Sequence, residues 1–132
     1  MSKRRVVITG LGLLSPVGNN VTESWNNIIQ GKSGVKPITS FDISEFETKF
    51  AATVDIAVED FLDKKEVRRT DPFIQYGLIA SKECIEDSLI DLDNTDLSKF
   101  GVSIGSGIGG LGTIEENKTK LAENGPKKIS PF

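Results

Sequence analysis

A helix signal that begins at Thr70 or Asp71 limits the folds open to this chain. Either residue can act as the N-cap before Pro72, because the first turn of a helix tolerates proline. The apolar and small residues after it cover most of the helix circumference: Phe73, Ile74, Tyr76, Gly77, Leu78, Ile79, Ala80, Ser81, Cys84, Ile85 and Ser88. Such a helix is typical of an element buried in a larger body.

Strands and helices alternate before this helix. Residues 5–9 form a short β-branched run that glycines end, which predicts a strand buried on both faces. Asn20 and Glu23 have the spacing of a capping box, and apolar residues at helical spacing continue to Gly31. Another strand is expected near residues 51–54.

The alternation continues after the long helix. Residues 100–104 have the pattern of a strand, and the glycine-rich loop of residues 105–112 follows. Thr113 and Glu116 resemble a second capping box, and the helix they would open ends at residues 124–126. Strands that alternate with helices predict an α/β fold.

Charge and hydropathy exclude several classes of function. The net charge of -3 and the pI near 5.0 give no general attraction to nucleic acid or to an anionic membrane, so an acidic partner would need a local basic patch. No apolar run approaches the roughly 20 residues that span a bilayer. The 132 residues, 37% of them apolar, suit one folding unit.

Few side chains offer catalytic chemistry. One cysteine cannot form an internal disulfide, which favours a reducing cytoplasm, and the absence of histidine excludes a Ser-His-Asp triad and histidine metal sites within this chain. Cys84 lies between Glu83 and Glu86, whose charges disfavour a thiolate. We therefore predict that Cys84 is a packing residue.

The glycine-rich loop has two interpretations. Gly105, Gly107 and Gly110 match the spacing of a dinucleotide-binding fingerprint and stand between a predicted strand and a predicted helix. Against nucleotide binding, the helix is expected to begin only at Thr113, and no carboxylate for a ribose stands about 20 residues further on. The other interpretation is a glycine-rich turn with no role in nucleotide binding.

The earlier glycines, Gly10 and Gly12, are a poorer match to the fingerprint, because the third glycine is missing and Pro16 intervenes. We interpret them as a bend where the backbone passes close to a neighbour.

A basic segment precedes the long helix. It places four cations in six residues of an otherwise acidic chain: Lys64, Lys65, Arg68 and Arg69. Such a segment is often only a solvated face. A basic patch on an acidic protein can also orient a small acidic partner.

Several segments together carry a resemblance to a known family. Residues 1–12 and 14–18, residues 73–77, residues 104–112 and residues 128–132 resemble, in order and spacing, the elongating β-ketoacyl-acyl-carrier-protein synthases of bacterial type II systems. The resemblance covers essentially the whole chain and is weakest over residues 42–63.

The resemblance implies a thiolase-like α/β fold with α-β-α-β-α layers. Residues 1–132 would be the N-terminal part of its first half, with the remainder of the family's chain absent. The family implies a cytoplasmic homodimer that uses no cofactor or metal and binds neither nucleic acid nor a membrane. A chain cut at this point is expected to expose apolar faces when it is made alone.

The resemblance also implies a reaction and its partner. Family members join acyl groups to malonyl-acyl carrier protein by decarboxylative Claisen condensation, with a cysteine and two histidines that would lie beyond Phe132. No residue here is therefore assigned a catalytic role, and the 132-residue piece alone is expected to be inactive. By the same resemblance, Ile108 lines the acyl pocket, and Lys65, Arg68 and Arg69 dock the carrier protein.

Two alternatives stay open at this point. A catalytically silent homologue would keep the fold and replace the nucleophile, and the residue that decides this lies outside the chain. A dinucleotide-binding α/β domain would instead use the loop at Gly105.

Overall fold

The computed structural model describes residues 3–129. Its α-helices are α1 (Val21–Ile29), α2 (Lys64–Val67), α3 (Pro72–Ser88) and α4 (Leu111–Asn124). Strands β1 (Val35–Pro37) and β2 (Phe50–Ala52) pair antiparallel, and Lys36 lies opposite Ala51. Short 3-10 helices occupy Val58–Asp60, Leu97–Lys99 and Pro126–Lys128. The family-like residues at the two ends, Met1, Ser2, Ser130, Pro131 and Phe132, lie outside the described part.

The chain divides into two compact units. Of the described residues, the first unit holds 3–57 and 79–95, and the second holds 58–78 and 96–129. The first therefore contains α1 and the β1–β2 pair, and the second contains α2 and α4. Between residues 3 and 129, no helix is long and apolar enough to cross a bilayer.

Helix α1 begins where the capping signal predicts. The Asn20 side chain accepts a hydrogen bond from the Glu23 N–H at 2.7 Å. The Glu23 carboxylate reaches the N–H of Asn19 at 2.7 Å, one residue before the N-cap. The helix ends at Ile29, and Gly31 follows with a φ of 68°, which favours glycine.

Helix α3 also has the predicted bounds. The Asp71 carbonyl accepts the first helical bonds, from Ile74 N at 3.0 Å and Gln75 N at 3.1 Å. The helix ends at Ser88, where Leu89 takes a φ of 53°. Its predicted burial is only partly confirmed, because Ile79 is 4% exposed while several other apolar side chains of the helix remain more than a third exposed: Phe73, Ile74 and Leu78.

Two predicted strands are absent from the described residues. Residues 5–9 and residues 100–104 form no ladder, and Val6 is 87% exposed. A strand requires hydrogen bonds from a neighbouring strand, and within residues 3–129 no segment pairs with either run. The strand expected near residues 51–54 is present as β2, and β1, its partner, was not predicted.

The first glycines of the chain lie close to α3, as the close-approach interpretation predicts. A Cβ built on Gly10 or Gly12 would overlap the backbone of α3 at Cys84 or Ala80. All four positions belong to the first unit. Glycine is therefore needed at these two positions for space.

Candidate functional site

The basic segment forms a short exposed helix in the second unit. Lys65, Arg68 and Arg69, hereafter the docking cluster, are all exposed, and within residues 3–129 they form no ion pair. Lys65 lies in α2, Arg68 is the C-cap of that helix and Arg69 follows directly, so the three cations lie close together along the chain. The cluster is therefore available to an acidic partner.

Side-chain hydrogen bonds stabilise the end of α2 and the residues that follow it. Gln75, which is 6% exposed, donates from its side-chain amide to the Val67 carbonyl at 3.0 Å and to the Thr70 carbonyl at 2.6 Å. The Thr70 hydroxyl donates to the Glu66 carbonyl at 2.6 Å. The Gln75 amide thus provides a partner for the carbonyl of Val67, the last residue of α2.

The glycine-rich loop also belongs to the second unit. Gly109 has a φ of 86°, and its N–H donates to the Ser106 hydroxyl oxygen at 3.1 Å. Ile108, on the turn that this bond closes, has a side chain that is 71% exposed. Around Gly105 and Gly107 a Cβ would meet open space, so the loop has room to approach another segment or a ligand.

An apolar cavity of about 360 Å³ lies beside this loop, within the second unit. Its lining residues are Phe73, Ile74, Gly77, Leu78, Ile104, Gly105 and Ser106. Ile108 is two residues beyond Ser106 and is not among them. The cavity suits an apolar group better than a charged one.

Helix α4 begins earlier than the sequence predicts. Its first residue is Leu111, directly after Gly110. The prediction that Thr113 and Glu116 form a capping box was therefore wrong. The Thr113 hydroxyl donates instead to the carboxylate of Asp71, and a Cβ on Gly110 would overlap that carboxylate. A negative side chain therefore lies at the helix N-terminus, where it opposes a bound phosphate.

Cys84 has the surroundings of a packing residue, as predicted. Its thiol is half-buried and donates to the Gly10 carbonyl at 3.4 Å. The neighbouring Glu83 carboxylate accepts from the N–H groups of Leu13 and Val21, both at 2.8 Å. Sequence reasoning missed this role of Glu83, because its partners lie 62 or more residues away along the chain.

Three exposed turns lower the pKa of an aspartate carboxyl. The Ser44 N–H lowers the pKa of Asp42, the Asn94 side chain lowers that of Asp91, and the Ser98 side chain lowers that of Asp96. Each carboxylate caps its own turn. Residues 3–129 hold no cluster of three or more side chains able to bind a metal ion.

Comparison with known proteins gives a consistent result. Residues 3–132 match the family model described as "Beta-ketoacyl synthase, N-terminal domain". Proteins named 3-oxoacyl-[acyl-carrier-protein] synthase 2 are 50% identical in Coxiella burnetii and 47% in Vibrio harveyi, across 100% of this chain. The one from Staphylococcus aureus N315 is 42% identical across 98% of it. The chain spans about a third of the length of these curated relatives.

Solved structures show the same fold. "The ishigamide ketosynthase/chain length factor" superposes with a TM-score of 0.74 at 26% identity, over 98% of this chain and 33% of the other. A type II polyketide acyl-carrier protein in complex with its ketosynthase gives a TM-score of 0.70, also at 26% identity and with the same coverage. The neighbours are ketosynthases, and the predicted thiolase-like α/β fold is confirmed for a partial chain.

Proposed function

The chain belongs to the β-ketoacyl synthase family, whose N-terminal domain it matches over residues 3–132, and we propose that it is part of a 3-oxoacyl-[acyl-carrier-protein] synthase. The observation that carries this proposal is the similarity to the synthase 2 proteins, 42–50% identical along essentially the whole chain. The same match favours a condensing enzyme over a dinucleotide-binding domain.

The proposed reaction is a decarboxylative condensation in fatty acid elongation. A cysteine thiolate takes the acyl group from an acyl-carrier-protein thioester and releases the carrier thiol. Malonyl-carrier protein then loses carbon dioxide, and the resulting carbanion attacks the acyl-enzyme carbonyl, which frees the thiolate. This chain has no histidine and its Cys84 is packed against Gly10, so the reacting side chains belong to the remainder of the enzyme.

The docking cluster is proposed to bind the acyl carrier protein. Its three cations are exposed and close together along a chain of net charge -3, and a basic patch on an acidic protein can orient an acidic partner. One structural neighbour is a ketosynthase in complex with its carrier protein, which supports the choice of partner.

Charge reversal at Arg68 tests this proposal. In the full-length enzyme, Arg68→Glu should raise the KM for acyl-carrier-protein substrates roughly 5- to 20-fold, because it replaces an attraction with a repulsion. The salt dependence of KM should weaken, since fewer favourable charge pairs remain to be screened. Acyl-CoA substrates, which lack the protein surface, should be much less affected.

The matched control is Lys82→Glu, which reverses an exposed lysine on α3 outside the docking cluster. It should leave both KM values near those of the wild type. An Arg68→Glu enzyme with an unchanged KM for carrier-protein substrates would contradict the docking assignment.

Ile108 is proposed to line the acyl pocket. The support is an exposed apolar side chain on a glycine-flanked turn, two residues after the last residue that lines an apolar cavity. Its bulk would limit the length of the acyl chain.

We also propose that the enzyme is a cytoplasmic homodimer.

The main alternative is a catalytically silent homologue. The observation that supports this alternative is a structural neighbour described as a "ketosynthase/chain length factor". Reading the coding sequence beyond Phe132 decides between them, because an active enzyme needs a nucleophilic cysteine and two histidines there. A condensation assay with acyl- and malonyl-carrier protein on the full-length enzyme then tests the activity directly.

A further inference from the structure

The Asp71 side chain joins the starts of two helices in the second unit. Its backbone carbonyl begins α3, and its carboxylate accepts the hydroxyl of Thr113 in the first turn of α4. The carboxylate also lies where a side chain on Gly110 would have to be. One residue therefore sets the position of α4 relative to the first turn of α3.

Helix α4 has no side-chain N-cap of its own. Gly110 provides no side-chain cap, and the first turn of α4 contains no acidic residue. The first N–H groups of a helix carry partial positive charge and lack partners inside the helix. Asp71, which directly precedes α3, therefore places a carboxylate at the start of α4, where it accepts the Thr113 hydroxyl.

The contact extends to the loop that carries Ile108. A Cβ on Gly109 would lie 3.5 Å from the Phe73 ring, so Gly109 and Gly110 both lie against the first residues of α3. Ile108 comes directly before them. A shift of α4 away from Asp71 would therefore move the backbone on which Ile108 stands.

The same turn of α3 also bonds the residues on either side of Arg68 and Arg69. Gln75 binds the carbonyls of Val67 and Thr70, on either side of Arg68 and Arg69. Asp71 follows Thr70 directly. The docking cluster and the Ile108 loop are thus fixed to the same few residues at the start of α3.

We propose that Asp71 is a positioning residue, which through Gly110 and Thr113 fixes the Ile108 loop and so sets the acyl chain length that the enzyme accepts. The proposal rests on the function proposed above. It assigns Asp71 no contact with the substrate.

The test uses the full-length enzyme and two readouts. The first is the ratio of kcat/KM for a long acyl-carrier-protein substrate to that for a short one. The second is hydrogen exchange in peptides covering residues 105–112, which does not depend on activity. Asp71→Ala and Thr113→Val each remove the contact, Asp71→Asn keeps an oxygen acceptor for Thr113, and Ile108→Ala calibrates the change in the ratio.

The matched control is Asp96→Ala. Asp96 caps a 3-10 helix of the same unit and hydrogen-bonds only within its own turn and to Lys99. It should change neither readout. A general loss of stability would lower kcat/KM for long and short substrates alike and leave their ratio constant.

We expect Asp71→Ala to change the ratio roughly five-fold or more in the direction of Ile108→Ala and to speed exchange in residues 105–112. Thr113→Val should do the same, the double variant should add little, and Asp71→Asn should change less. An unchanged ratio, or an equal loss for both substrates, overturns the proposal.

Two further outcomes are also decisive. If Asp71→Ala does not fold, Thr113→Val alone tests the proposal. This variant removes the hydroxyl but should still fold, because valine matches the shape of threonine. If the wild-type enzyme does not condense acyl groups, the proposed function fails, and unchanged exchange in residues 105–112 then overturns the positioning role separately.

Discussion

Two carboxylates on α3 bind the backbone that precedes α1. Glu83 accepts from Leu13 N and Val21 N, and Asp87 accepts from Leu11 N, each at 2.8 Å. Val21 is the first residue of α1, so Glu83 also lies at the positive end of that helix. These bonds fix the position, within the first unit, of the backbone before α1, which pairs with no strand among the described residues.

Glu83→Ala should lower the free energy of unfolding of the full-length enzyme by about 1–3 kcal/mol, because two N–H groups lose a charged acceptor. Denaturant unfolding followed by circular dichroism measures the change. Glu86→Ala is the matched control, since Glu86 is exposed on the same helix. Equal effects of the two substitutions would show that the Glu83 bonds do not contribute.

At the scale of elements, glycine determines how closely the N-terminal segment packs on α3. The Cβ that Gly12 lacks would overlap the Ala80 carbonyl and lie 2.8 Å from Cys84 N. Both neighbours are backbone of a regular helix, which cannot move aside as a flexible side chain can. The segment must therefore move if a side chain is added.

Gly12→Ala should destabilise the full-length enzyme by about 1–3 kcal/mol or more, as overpacking does. Gly101→Ala is the control, because nothing lies within 4 Å of the added methyl group. Thermal unfolding of both variants measures the difference. A Gly12→Ala enzyme as stable as Gly101→Ala would show that the segment is free to move away from α3.

At the scale of the whole molecule, the described residues leave much apolar surface uncovered. Val6, Ile8, Val102 and Ile104 are among the large apolar side chains that are well exposed, and Ile79 is the only apolar side chain buried between residues 3 and 129. Contiguous exposed apolar surface normally marks an interface. The curated relatives are about three times as long as this chain, and their further residues offer the material to cover such a surface.

The 132-residue chain made alone should therefore unfold without a sharp transition, bind an apolar dye and associate. Calorimetry, dye fluorescence and light scattering measure these properties, with the full-length enzyme as the control. A monodisperse monomer with a sharp cooperative melt would contradict the view that this chain is part of a larger fold.

Local signals predicted the helices well. Asn20 before α1, Asp71 and Pro72 at α3 and Gly125 after α4 all stand where the structure has helix ends, because capping involves residues a few positions apart. The docking cluster could also be predicted from the local sequence, because its three members lie close together along the chain. Residues 5–9 and 100–104 have the composition of strands, but strand formation also needs a partner from elsewhere in the chain.

The sequence by itself determined the family, the α/β class and the positions of most helix ends, because each depends on short-range order along the chain. The tertiary structure alone decided where α4 begins and what fixes the Ile108 loop. The reason is that the Asp71 carboxylate, which contacts the first turn of α4, lies 42 residues from its partner Thr113. No pattern within a single helix can reveal a contact made by a residue so far away in the sequence.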